Sequence, residues 1–180
     1  MTAPHFHFVP VLGHEVHVAE WGDRQKPALL MLHGLARTGR DFDEAAALSR
    51  DFHVLCPDMI GRGRSSWARD PEVEYSVEHY AQIATGLLDH FQIDRAAWFG
   101  TSLGGMIGMH VASSPEAQRV SALVVNDISP ELPEAAVQRI LSYVGSLPAF
   151  DSFAEGEAWL RQTYAPFGPA AAAYWQRMAR

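Results

Sequence analysis

Ala96-Ala97-Trp98-Phe99-Gly100-Thr101-Ser102-Leu103-Gly104-Gly105-Met106-Ile107-Gly108 is the stretch whose reading decides the architecture. Its first four residues are apolar and suit a short buried strand, and Leu103 to Ser113 suits a helix. Between them Gly100-Thr101-Ser102-Leu103-Gly104 matches Gly-x-Ser-x-Gly. That pentapeptide makes a sharp strand-to-helix turn, which strains the serine backbone and exposes its hydroxyl. Glycines stand two residues to either side because side chains there would collide where strand and helix cross. An ordinary turn could use the same residue types. Here the apolar strand before and the glycine-containing helix after are both present, which makes Ser102 the candidate nucleophile.

Upstream, Phe6–Val11 and His14–Trp21 alternate around Gly13 as a β-hairpin,. Ala28–Leu32 and Phe52–Asp58 are short, continuously apolar runs of the kind buried on both faces of a parallel sheet. Asp41–Arg50 reads as a short helix. In the segment from Ser76 to Phe91, Val77, Tyr80, Ile83, Ala84, Leu87, Leu88 and Phe91 share one helical face, and Ser76 is its N-cap,. Val120–Ile128 is a sixth strand. Strands alternating with helices predict an α/β fold with a doubly wound, mostly parallel sheet. After Pro130 the texture changes: Glu134–Ser146, Phe153–Ala165 and Ala170–Arg180 read as three helices with no strand between them. The domain division is therefore 1–132 and 133–180.

His33-Gly34-Leu35 closes the Ala28–Leu32 strand. In this architecture the loop after that strand supplies one backbone N–H of an oxyanion hole, and the residue after the nucleophile supplies the other. The donors expected are Leu35 and Leu103, with His33, Gly34, Gly100 and Gly104 as supporting loop residues. His33 is expected to bond the loop backbone rather than serve as a base. Asp58-Met59-Ile60-Gly61-Arg62-Gly63-Arg64-Ser65 invites a dinucleotide reading, but Ser66 stands where the third glycine belongs and no helix opens there,. A tight loop at the carboxyl end of a strand fits better.

Net charge is −7, and no basic cluster points to nucleic acid,. One cysteine, Cys56, excludes an internal disulfide framework and suits a buried strand position. No secretory signal and no run of membrane-spanning length is visible, so the expectation is a cytoplasmic protein with no membrane partner. His5-x-His7 and His14-x-x-His17 read as exposed polar positions at a hairpin edge, His79, His90 and His110 as solvent-facing or packed helix residues. No metal site is expected.

These three motifs, in this order and spacing, resemble the α/β-hydrolase family, and within it the cofactor-free, capped serine hydrolases: esterases, lactonases and carbon–carbon bond hydrolases. The resemblance covers Phe6 to about Arg180 and includes Asn126-Asp127-Ile128-Ser129-Pro130-Glu131. It implies a serine hydrolase acting on an ester, thioester, lactone or activated ketone carbonyl, a small-molecule acyl substrate and no cofactor. It also implies that 133–180 is a helical cap. In the family the sheet resumes after the cap, and a catalytic Asp and then a His follow its last two strands. All nine histidines here lie at or before position 110. The expectation is therefore a chain that stops within the cap and takes its histidine and acid from a missing C-terminal part. A complementing chain, or self-association at an exposed sheet edge, would be its partner. Asp127 is an alternative acid, though a structural role suits it better. Two rivals remain: a non-catalytic ligand-binding protein of the same fold, and acyl transfer or perhydrolysis at the same serine.

Overall fold

A computed structural model describes residues 3–144, 148–165 and 168–179. Strands β1 (His5–Val11) and β2 (His14–Trp21) form an antiparallel hairpin. Its two-residue turn holds both Leu12 (φ 50°) and Gly13 (φ 79°) in the left-handed region, as the right-handed twist of the flanking strands requires. β3 (Ala28–Leu32), β4 (His53–Pro57), β5 (Ala96–Thr101) and β6 (Val120–Asn126) complete one six-stranded sheet of order β1-β2-β4-β3-β5-β6. β2 runs antiparallel to β4, and the pairs β3–β4, β3–β5 and β5–β6 are parallel. The α/β reading and its mostly parallel sheet are what the chain adopts.

Side-chain alternation divides the core between two faces. On one, Val9, Val16, Val18, Leu30, Leu32 and Leu55 pack against α3 (Val77–His90) and α4 (Leu103–Ala112). On the other, Trp21, Met31, Val54 and Cys56 pack against Phe42 and Ala46, from a 3₁₀ turn (Gly39–Phe42) and α1 (Asp43–Leu48). The helix expected over 41–50 is thus split between two shorter pieces. Ser76 caps α3, its hydroxyl accepting from His79 N–H at 3.3 Å, and Tyr80, Ile83, Ala84, Leu87 and Leu88 are buried along one face. A four-residue helix, α2 (Pro71–Glu74), was not read from the sequence. Asp70 caps it and Pro71 opens it, a start signal too short to carry periodicity.

β6 lies at the sheet edge opposite β1. Its neighbouring residues Val124 and Val125, which alternation sends to opposite faces, are both exposed,.

The chain divides into two compact units, Met1–Leu132 and Pro133–Arg180. The second holds α5 (Glu134–Val144), α6 (Phe153–Thr163) and α7 (Ala172–Met178). Ser152 caps α6 through Glu155 N–H, and the Arg161 guanidinium lies over the ring of buried Trp175. The expected helix ends at Gly145, Ser146 and Arg180 fall outside the described residues.

Candidate active site

β4, β3, β5 and β6 run parallel, so the loops after Pro57, Leu32, Thr101 and Asn126 all open on one edge of the sheet, the edge where open α/β sheets present ligand sites,. Ser102 stands in the turn between β5 and α4 with φ 50° and ψ −113°, a backbone state that a non-glycine residue adopts only under constraint. The constraint is visible. A Cβ on Gly100 would collide with the Gly104 carbonyl oxygen, and one on Gly104 with the Leu32 carbonyl oxygen. Only hydrogens at both positions let strand and helix approach this closely. Ser102 N–H donates to Asn126 C=O at 2.8 Å, tying the turn to the end of β6. The first bond of α4 runs from Met106 N–H to Ser102 C=O at 3.1 Å, so the amides of Leu103, Gly104 and Gly105 have no acceptor within the helix.

The loop after β3 passes beside this turn. A Cβ on Gly34 would lie 3.7 Å from Ser102 Cβ and 3.8 Å from the Thr101 carbonyl oxygen. Leu35 and Leu103 therefore each follow by one residue a backbone position at this close approach. His33 is fully buried and both its ring nitrogens are engaged. Met59 N–H donates to Nε2 at 2.9 Å. An N–H can only donate, so Nε2 carries the lone pair and Nδ1 carries the hydrogen, which is given to the Gly34 carbonyl at 2.8 Å,. Burial pushes the imidazole pKa down, opposed by that bond to Gly34,.

The loop after β4 is organised by Asp58. Its carboxylate accepts from Gly39 N–H (2.8 Å), Arg64 N–H (3.0 Å) and His17 Nδ1 (2.9 Å). Burial alone would raise its pKa, but the bonds from His17, Arg64 and Gly39 outweigh it and hold the group below the usual carboxylate range,. Gly61 and Gly63 both sit at positive φ, and a side chain on Gly63 would strike the Asp58 carboxylate. The loop thus folds around its own acid. Arg62, between the two glycines, donates through Nε to the Leu35 carbonyl (2.9 Å) and through Nη1 to the Ile60 carbonyl (2.9 Å) and the Tyr80 hydroxyl.

The other histidines sit away from Ser102 or serve other groups. His14 and His17, expected at the surface, are buried instead. Both lie on β2, inside the sheet, where His17 Nδ1 meets the Asp58 carboxylate at 2.9 Å and His14 Nε2 meets His79 Nε2 at 3.3 Å. His7 and His53 each reach buried Glu20 at 2.7 Å. His90 is exposed. His110 is exposed near the C-terminus of α4, eight residues beyond Ser102 and hence about 12 Å along the helix,. Asp127, at φ 56°, is exposed just past β6 on the same sheet edge as Ser102. The roles of Asp58 and Arg62 went unread, because their partners lie far away in sequence. Among the described residues no group of three or more His, Cys, Asp or Glu is arranged to hold a metal ion, and no helix is long and apolar enough to cross a membrane.

Comparison with known proteins gives a consistent picture. The profile of the alpha/beta hydrolase fold matches residues 27–163. The chain is 42% identical over 167 residues to the 3-hydroxybutyrate-oligomer hydrolase of Cupriavidus necator, covering 92% of this chain and 56% of that protein. It is 30% identical over 137 residues to 3-oxoadipate enol-lactonase 2 of Acinetobacter baylyi, covering 73% of this chain and 49% of the relative. The crystal structure of an alpha/beta hydrolase from Novosphingobium aromaticivorans superposes with a TM-score of 0.87 at 32% identity, covering 98% of this chain and 63% of that one. The chain spans about half the length of the curated relatives it matches.

Proposed function

The chain belongs to the alpha/beta hydrolase fold family, and on that premise we propose that it carries the nucleophile and oxyanion hole of a serine hydrolase acting on carboxylic esters. Ser102 is the nucleophile, and the N–H groups of Leu35 and Leu103 are the oxyanion donors. The observation that carries this reading is the backbone of Ser102, held at φ 50° by two close approaches that only glycines permit, with the Gly34 segment packed against its Cβ. Such a turn is costly to keep and presents a hydroxyl at the ligand edge of the sheet.

In the reaction a histidine removes the Ser102 hydroxyl proton and Oγ attacks the acyl carbonyl. The negative charge that develops on the carbonyl oxygen is met by the two N–H groups. The bond to the leaving alcohol then breaks, the alcohol taking the proton from histidine, and water releases the acid from Ser102. A hydroxy-acid ester is the substrate class favoured by the likeness to a 3-hydroxybutyrate-oligomer hydrolase, with lactones next by the likeness to an enol-lactonase.

The histidine and its acid come from outside these 180 residues, supplied either by a following stretch of chain or by a second chain laid along β6. Two features support this. His33 spends both ring nitrogens on backbone groups, and β6 exposes Val124 and Val125 at an open edge,. The test is fluorophosphonate labelling with the histidine-bearing segment present. Ser102 is expected to be modified and Ser102→Ala to remain unlabelled. Equal labelling of the alanine variant removes Ser102 as nucleophile.

A further inference from the structure

We propose that Arg62 is a positioning residue for the oxyanion loop, gripping the Leu35 carbonyl so that the Leu35 N–H keeps the orientation an oxyanion donor needs. The proposal rests on the oxyanion role given to Leu35 above.

The orientation of an N–H is set by its peptide plane, and two planes meet at Leu35. In the first, the Gly34 carbonyl points opposite to the Leu35 N–H, as in any trans peptide, and no cis peptide is present among the described residues,. That carbonyl accepts from His33 Nδ1 at 2.8 Å and from Arg37 N–H at 3.1 Å. In the second, the Leu35 carbonyl accepts from Arg62 Nε at 2.9 Å. Holding both planes fixes the backbone rotation at Leu35 between them. Arg37 N–H belongs to the same loop as Leu35, but one grip on each plane traces to the loop after β4. Met59 N–H holds the imidazole that holds the first plane, and Arg62 holds the second directly.

Arg62 is itself prevented from moving. Its Nη1 donates to the Ile60 carbonyl at 2.9 Å and to the hydroxyl of Tyr80, a fully buried residue of α3. Its guanidinium carbon lies 5.3 Å and 5.4 Å from the ring centroids of Tyr75 and Tyr80. The positive φ at Gly61 and Gly63 bends the loop tightly about the arginine between them. Among the described residues no carboxylate pairs with this guanidinium. A cation of fixed charge is spent on two carbonyls and a phenol, reached together by the separate N–H groups of arginine's rigid fork, which a lysine ammonium lacks,.

The experiment uses the protein with its histidine-bearing segment present, labelled with ¹⁵N-leucine, with phenylboronic acid as the probe, since boron accepts Ser102 Oγ to give a tetrahedral adduct. In the wild type the Leu35 and Leu103 amides are expected to shift on binding. Arg62→Met is expected to weaken phenylboronate binding about tenfold, short of the roughly 10²–10³ that deleting a donor outright costs. It should also speed hydrogen exchange at Leu35 more than at Leu103. Arg62→Lys should recover only part of the loss. Tyr80→Phe keeps the ring and the other two Arg62 bonds. It should cause a smaller change of the same kind, and it decides the matter with Arg62→Lys if Arg62→Met does not fold. Wild-type binding and an unchanged Leu35 amide in these variants would overturn the role of Arg62 and leave that of Leu35 standing. No response of the Leu35 amide in the wild type would overturn the oxyanion assignment, and this proposal with it.

Discussion

Replacing Ser102 by glycine is expected to make the protein more stable than replacing it by alanine. Ser102 sits at φ 50°, ψ −113°, and a residue with a Cβ held in so sparse a region costs of order 1–3 kcal/mol. Alanine removes the hydroxyl but keeps the Cβ and therefore keeps the strain. Glycine releases it, while giving the unfolded chain extra freedom worth roughly 0.5–1 kcal/mol. The difference leaves glycine ahead by about 1 kcal/mol. Because both variants lack the hydroxyl, the comparison isolates the backbone. Urea unfolding followed by tryptophan fluorescence suits the measurement, since Trp98 is buried in β5, just ahead of the turn. If the glycine variant is no more stable than the alanine variant, the turn stores no strain and the structural case for Ser102 as nucleophile fails.

Gly104→Ala is expected to destabilise by about 1–3 kcal/mol, because its Cβ would press on the Leu32 carbonyl oxygen, which is backbone and cannot swing aside,; a calorimetric melting point unchanged from the wild type would contradict this. Glu20 should contribute to acid unfolding. It is buried, and although burial raises its pKa, bonds from Arg24, His53 and His7 bring it from 4.5 to about 2. A depressed carboxylate gives stability that is whole above the unfolded value and is lost as pH falls toward the folded one. The drop corresponds to about 3 kcal/mol, of which about 2 kcal/mol should be gone by pH 3. Chemical denaturation at pH 6 and pH 3 should show a smaller pH-dependent loss in Glu20→Gln than in the wild type; parallel losses would refute the assignment.

The turn at Ser102 was legible because its geometry is dictated by five consecutive residues and the apolar runs on either side. The same holds for β3 and β4, whose unbroken apolar character announces burial on both faces. What could not be read were contacts between residues far apart in sequence. His17 and Asp58 are 41 positions apart, and Arg62 meets Leu35 from 27 positions away. Both pairings depend on which strand β2 joins in the sheet and on how the loop after β4 is placed, which no local pattern records. His14 and His17 looked like surface residues for the same reason. Polar residues on a hairpin read as exposed until the element that covers them is known. α2 escaped because a single turn of helix has no period to detect.

The pairing of His17 with Asp58 also bears on how far the chain can be trimmed. Asp58 holds the loop after β3 through Gly39 and its own loop through Arg64, and His17 approaches it from the N-terminal hairpin, with Phe6 and Phe8 of β1 against the imidazole ring. The outermost strands, which lie farthest from Ser102 in the order of the sheet, are therefore joined by a short relay of contacts to the loops that flank it. Deleting the hairpin would strip a buried carboxylate of one of its three donors and open it to water. Evolution and the protein engineer alike should find the first twenty residues far less dispensable than a peripheral hairpin would suggest.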